Sequence, residues 1–145
     1  MPNDLISALT TIRETVGGWE GVSAAPHRFG GTEFRLGAVE LGHFHRNGMV
    51  DILFSRAIRE ALLAEGRAEA HHLLPKTGWI SFYIREEGDS ERALWLFQLA
   101  YVQKRIKRDR VIHADVKTML AHLNLSDSMR PLIAQDKMDS TTDAD

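Results

Sequence analysis

Val39-Glu40-Leu41-Gly42-His43-Phe44-His45-Arg46-Asn47-Gly48-Met49-Val50-Asp51-Ile52-Leu53-Phe54 is the stretch on which the fold turns. Asn47-Gly48 is a hairpin signal, because Asn and Gly accept the positive φ that a tight turn between antiparallel strands demands. The flanks, 39–45 and 49–54, read as the two strands. Side chains alternate along a strand, so His43 and His45 emerge on one face. The face of Asp51 depends on register. A two-residue loop at Asn47-Gly48 sets His43 opposite Ile52, and a three-residue loop sets it opposite Asp51. In the second register His43, His45 and Asp51 share a face.

Working outward, Phe29-Gly30-Gly31-Thr32 is a turn signal, and 33–37 is a strand before the hairpin. Further upstream, residues 4–16 read as a helix capped by Asn3, with Leu5, Leu9, Ile12 and Val16 as its apolar stripe and Gly17-Gly18 as its stop. Trp19 to Pro26 is an extended lead-in. Downstream, Ser55 caps a helix over 56–65, with Ile58, Leu62 and Leu63 on its buried face, and Gly66 ends it. Residues 68–74 read as extended. The clearest strand is 78–85, where Trp79, Ser81 and Tyr83 alternate with Ile80, Phe82 and Ile84. Asp89 or Ser90 caps a long helix to about residue 107, with Ala93, Leu96, Phe97, Ala100 and Lys104 in line. A short helix follows over 114–124. This order predicts an α+β fold, an antiparallel sheet of four or five strands with helices packed on one face, as a single domain over residues 1–135. The Asp-, Ser- and Thr-rich residues 136–145 read as a disordered tail.

Composition bounds the chemistry. The 145 residues are 43% hydrophobic and 26% charged, enough for a real core. Net charge is −2 and the pI about 6.4, which gives no reason to expect nucleic acid as the main ligand. With no cysteine, disulfides, iron–sulfur clusters, thiolate zinc sites and a cysteine nucleophile are excluded. No run approaches the ~20 apolar residues of a membrane span, and the N-terminus lacks a signal-peptide pattern, so the expected location is cytoplasmic with no membrane partner. There is no P-loop and no G-x-G-x-x-G, so no nucleotide cofactor of the Rossmann kind is expected.

The histidines carry the remaining chemistry. His43, His45 and Asp51 are candidate ligands for a divalent metal, with His71 or His72 as a further imidazole; such a set suits zinc, iron or manganese. Equally, strand histidines often sit half-buried and hydrogen-bonded to backbone. Without a metal, His43, His45 and His72 can act as general acid or base. Arg28, Glu33 and Arg35 can bind a polar ligand. In the loop Leu74-Pro75-Lys76-Thr77-Gly78-Trp79, Lys76 can donate to an anion while Trp79 stacks on a ring; a strand-start tryptophan is more often core. The run Lys104-Arg105-Ile106-Lys107-Arg108-Asp109-Arg110 can contact phosphates, or be a solvated helix end where cations suit the dipole. Helix 90–107 is apolar on more than one face. It either forms a homodimer or is covered by residues 111–125.

Four stretches in order carry a family resemblance: Pro26 to Phe34; Glu40 to His45 with Gly48 to Ile52; Arg59 to Ala68; and His71 to Phe82 followed by the helix ending Leu99-Ala100-Tyr101. Together they resemble the luciferase-domain family of small bacterial and fungal proteins. The resemblance covers about Trp19 to Tyr101 and carries over no catalytic residues. The sequence therefore points to a small ligand-binding or accessory domain with a pocket between sheet and helices, on the His43/His45 strand face. Two alternatives stand beside it: an enzyme using the same histidines, metal-dependent or acid–base, and a nucleic-acid module using the basic helix end.

Overall fold

The computed structural model describes residues 2–71, 73–74 and 76–133. The chain runs through α1 (Pro2–Gly17), β1 (Val22–His27), β2 (Gly31–Leu36), β3 (Val39–Phe44), β4 (Met49–Leu53), α2 (Arg56–Ala64), β5 (Glu69–Ala70), β6 (Trp79–Tyr83), α3 (Asp89–Asp109) and α4 (Ala114–Leu123). The fold is α+β, and all strand pairs are antiparallel in the order β1-β2-β3-β4-β6-β5. The sheet has six strands rather than four or five. The strand missed in the sequence is β1, which pairs with β2 through Val22↔Leu36 to His27↔Gly31. Its residues, Val-Ser-Ala-Ala-Pro-His, are small and mostly exposed, so no hydrophobic alternation announces it. Pro26 lacks an N–H and is tolerated because β1 is an edge strand.

The two faces of the sheet differ. Phe34, Phe44, Val50, Ile52 and Ile80 are buried on one of them, against Leu9, Ile12 and Val16 of α1, Ile58 and Leu62 of α2, and Ala93, Leu96, Phe97 and Ala100 of α3. Phe97 packs edge-on to Phe34 at 5.3 Å between ring centroids. Registers place Glu33, His43, Asp51, Ser81 and Glu69 in one row across the other face. Apolar burial thus holds the helices to one side and leaves the polar row on the other.

The second apolar face of α3 is covered from within the chain. Leu99, Tyr101, Val102 and Ile106 are buried, and Val116 and Leu123 of α4 with Leu125, Met129 and Ile133 belong to the same core. Trp95 Nε1 donates to the Leu123 carbonyl at 2.9 Å. The basic end of α3 is largely engaged: Arg105 is buried and reaches Asp115, Asp109 and Tyr101, Arg108 reaches Asp109, and Lys104 reaches the Leu53 carbonyl. Among the described residues, no helix is long and apolar enough to cross a membrane.

Ser55 caps α2 as expected, accepting from Ile58 N at 3.3 Å. Asp89 does not cap α3. Gly88 holds that position at φ 91°, and the Asp89 carboxylate turns back to accept from Arg85 N at 2.9 Å and Glu86 N at 3.0 Å. Burial opposes ionisation of Asp89, but these bonds and Arg92 outweigh it and lower its pKa.

Two expectations follow. Phe97→Ala should cost about 3–5 kcal/mol in denaturant unfolding, because it empties a fully buried site; Val39→Ala, at a half-exposed position, should stay within about 0.5 kcal/mol. Asp89→Ala should cost roughly 1–3 kcal/mol near neutral pH. A carboxylate with a lowered folded pKa stabilises above its unfolded pKa and loses that contribution as pH falls through the folded one. The gap between wild type and Asp89→Ala should therefore narrow on acidification; a gap that stays constant would refute this role.

Candidate functional site

The hairpin register decides the site. His45 N donates to Met49 O at 2.8 Å and Gly48 N to His45 O at 3.0 Å, so the loop is Arg46-Asn47-Gly48. Gly48 takes φ 96°, and Asn47 Oδ1 accepts from Met49 N at 3.1 Å. This three-residue turn with a glycine in the left-handed region pairs His43 with Asp51. Asp51 Oδ2 then lies 3.1 Å from His43 Nε2 and 3.0 Å from His45 Nε2. Its other oxygen accepts from the fully buried Ser81 hydroxyl at 2.7 Å.

A β-bulge adds a residue that alternation conceals. The β2–β3 register shifts between Phe34 and Arg35, so Phe34 pairs with Gly42 and Arg35 with Glu40. Leu41 is the extra residue and is fully buried. In a regular strand Glu40 and His43, an odd number apart, would face opposite ways. The bulge brings Glu40 back to the histidine face, where its carboxylate meets His43 Nδ1 at 2.7 Å.

His27 comes from the edge strand. Opposite it in the ladder is Gly31, where a Cβ would fall 2.4 Å from the Phe44 carbonyl oxygen. The His27 ring stacks on His43 at 4.0 Å between centroids. Glu33 holds His27 Nδ1 at 3.1 Å and is itself held by Arg35 Nε at 2.6 Å. His27, His43 and His45 offer ligand atoms that all lie within 4.8 Å of one another.

The partners also select tautomers. A neutral imidazole carries one donor and one lone-pair nitrogen. Carboxylates at Nδ1 of His27 and His43 keep a proton there; without a metal His43 also donates from Nε2 to Asp51, a proton that a bound cation would displace. His71 is the reverse. Its Nδ1 accepts from Leu73 N at 3.1 Å and Leu74 N at 3.2 Å, so the proton of the neutral ring is on Nε2, 3.7 Å from Asp51 Oδ2. At that distance His71 makes no hydrogen bond to Asp51, and it lies outside the group of converging histidines.

Electrostatics reinforce the cluster. Burial disfavours a charged His43, but hydrogen bonds to Asp51 and Glu40 prevail and raise its pKa to about 9. Burial likewise opposes ionisation of Asp51, yet hydrogen bonds from His43, Ser81 and His45 hold its carboxyl well below the usual range.

The predicted residues divide. His43, His45 and Asp51 are brought together. Trp79 faces them rather than the core: it is half-buried, with its ring 5.6 Å from His43 and 6.1 Å from His71. Arg28 and Lys76 are exposed on separate loops. His72 and the tail from Asp136 lie outside the described residues. The helices cover the opposite face, so the expected position between sheet and helices does not apply to these histidines. His27, Glu40 and Ser81 were missed, although the strand alternation that placed Ser81 with Trp79 was the signal that could have found it.

The luciferase-domain family model matches residues 39–100, somewhat under half of the chain. No curated protein and no solved structure matches it. The matched span contains His43, His45, Asp51, His71, Trp79 and Ser81, and leaves out His27.

Ser81→Ala should cost about 1–3 kcal/mol, because it strips a buried carboxylate oxygen of its donor. Equal stability of variant and wild type in denaturant unfolding would mean that another group satisfies Asp51.

Proposed function

We propose that this chain is a luciferase-domain protein whose histidine face binds one divalent transition metal, with catalysis as its use. The observation that carries the reading is the convergence of His27, His43 and His45 within 4.8 Å. Two of those rings are oriented through Nδ1 by carboxylates, an arrangement that fixes the tautomer of metal-binding histidines. Asp51 Oδ2, 3.1 and 3.0 Å from His43 and His45 Nε2, lies outside the three-histidine group and would stand beside the metal as a neighbouring anion. Imidazole with carboxylate suits zinc, iron and manganese.

The exposures favour a working centre over a closed structural one. The side chains of His27, His43 and His45 remain 17%, 13% and 27% exposed, so the rings are not sealed from solvent. Structural zinc sites are closed, whereas catalytic ones keep a position open. A bound metal would supply Lewis acidity there. Around it, Glu33 and Glu40 hold the rings, and Asp51 is pinned by Ser81.

The test is titration of the chelator-stripped chain with zinc, cobalt(II), manganese(II) and iron(II). One of them should bind with one-to-one stoichiometry and stabilise the fold by about 2.7 kcal/mol at a hundredfold excess over Kd. His27→Ala, His43→Ala and His45→Ala, where folded by circular dichroism, should each abolish or strongly weaken uptake. If none of the four metals binds or stabilises, the metal reading fails.

A further inference from the structure

Two groups at the His27–His45 end of the sheet, Phe29 and Arg46, are exposed and lie outside the core. Phe29 has a left-handed backbone, φ 56° and ψ 38°, which strains any residue that carries a Cβ. Its ring is 88% exposed, so no burial offsets that strain. Arg46, in the β3–β4 loop, lies across Gly30, where a Cβ would fall 2.3 Å from Arg46 Cδ and 3.2 Å from Nη1. The exposed Arg46 side chain thus lies beside the residue that follows Phe29. Neither Arg46 nor Arg28 has a carboxylate partner among the described residues. The nearest acids by register are occupied, Glu33 by His27 and Arg35, and Glu40 by His43.

An exposed aromatic residue and a guanidinium with no carboxylate partner thus come from two turns that meet at Gly30. Phe29 is two residues after His27, and Arg46 directly follows His45. A guanidinium matches a carboxylate through two parallel hydrogen bonds, and a phenyl ring pairs with another ring in an offset or edge-on geometry. A ligand that uses both must carry a negative charge and an apolar plane within a few ångströms of each other.

We infer that this end of the face binds a small aromatic carboxylate, its carboxylate on Arg46 and its ring on Phe29. The inference rests on the metal reading only in placing that ligand beside the metal; the two contacts to Arg46 and Phe29 stand without it.

Benzoate, titrated calorimetrically into the full chain, both chelator-stripped and cobalt(II)-loaded, tests it. Acetate, which lacks the ring, and benzyl alcohol, which lacks the charge, serve as controls. Benzoate should saturate one site and bind about tenfold or more tighter than either control. Arg46→Gln and Phe29→Gly should each weaken it about tenfold, with cobalt uptake and melting temperature at or above the wild-type values. Glycine keeps the positive φ at position 29, so loss of the ring is separated from loss of the turn. No benzoate binding by the wild type, or equal binding by wild type and both variants, overturns the inference. A chain that takes up no cobalt but binds benzoate through Arg46 and Phe29 refutes the metal reading and upholds this one. A cobalt-loaded chain that ignores benzoate does the reverse.

Discussion

The Asp51 carboxylate is the constraint around which the polar half of this protein is arranged. A buried carboxylate is costly unless its oxygens are hydrogen-bonded or paired. Asp51 is 1% exposed and sits in the middle of the sheet, on a central strand. Ser81 satisfies one oxygen from β6, and His43 and His45 approach the other from β3, with His71 behind them. Each of the three hydrogen-bond donors, Ser81, His43 and His45, comes from a strand that pairs with β4 or from the loop that joins it to β4. The requirements of one carboxylate therefore tie β3, β4 and β6 to a single register on the polar face, as the apolar side chains do on the other.

The helices complement this arrangement from the far side. Because α1, α2 and α3 all pack on the Phe34–Phe44–Ile52–Ile80 face, no helix among the described residues covers the histidines. The polar face is shielded instead by its own neighbours: the His27 ring over His43, and Trp79 at the opposite flank. That explains how His43 can be mostly buried and still lie near solvent. It also explains why the site is shallow in origin, built on a sheet surface rather than inside a fold-generated cavity.

Much of the fold was legible because its signals are local. The Asn47-Gly48 turn, the Ser55 cap and the alternation from Trp79 to Ile84 each act over a few residues, and each fell where the sequence put it. What was not legible depended on non-local geometry. The register of the hairpin was an open pair of alternatives, and the choice between them came down to one residue of loop length, Arg46 joining Asn47 and Gly48. Glu40 was hidden because a bulge inverts the face of everything before Leu41, and no residue there announces it. Trp79 read as core by its type and position, but its face is shared with Ser81, whose hydroxyl belongs to Asp51; the cross-strand partner, not the propensity of tryptophan, set its direction.

His27 is the case in which burial misleads. Sequence reading weights apolar periodicity, and an edge strand with one neighbour has little of it. Yet an edge is where a ligand is best supplied if the site must stay open. β1 is held by β2 alone, and its last residue, His27, stacks on His43 from that edge. The same edge carries Phe29, two residues further on, in a conformation that a phenylalanine adopts only at a cost in strain. The part of the sheet contributing least to the core thus carries the groups that the core does not explain. The luciferase-domain match begins only at Val39. The matched span accordingly supplies the central carboxylate and two imidazoles, and the strand before it supplies the third imidazole and the exposed ring beside it.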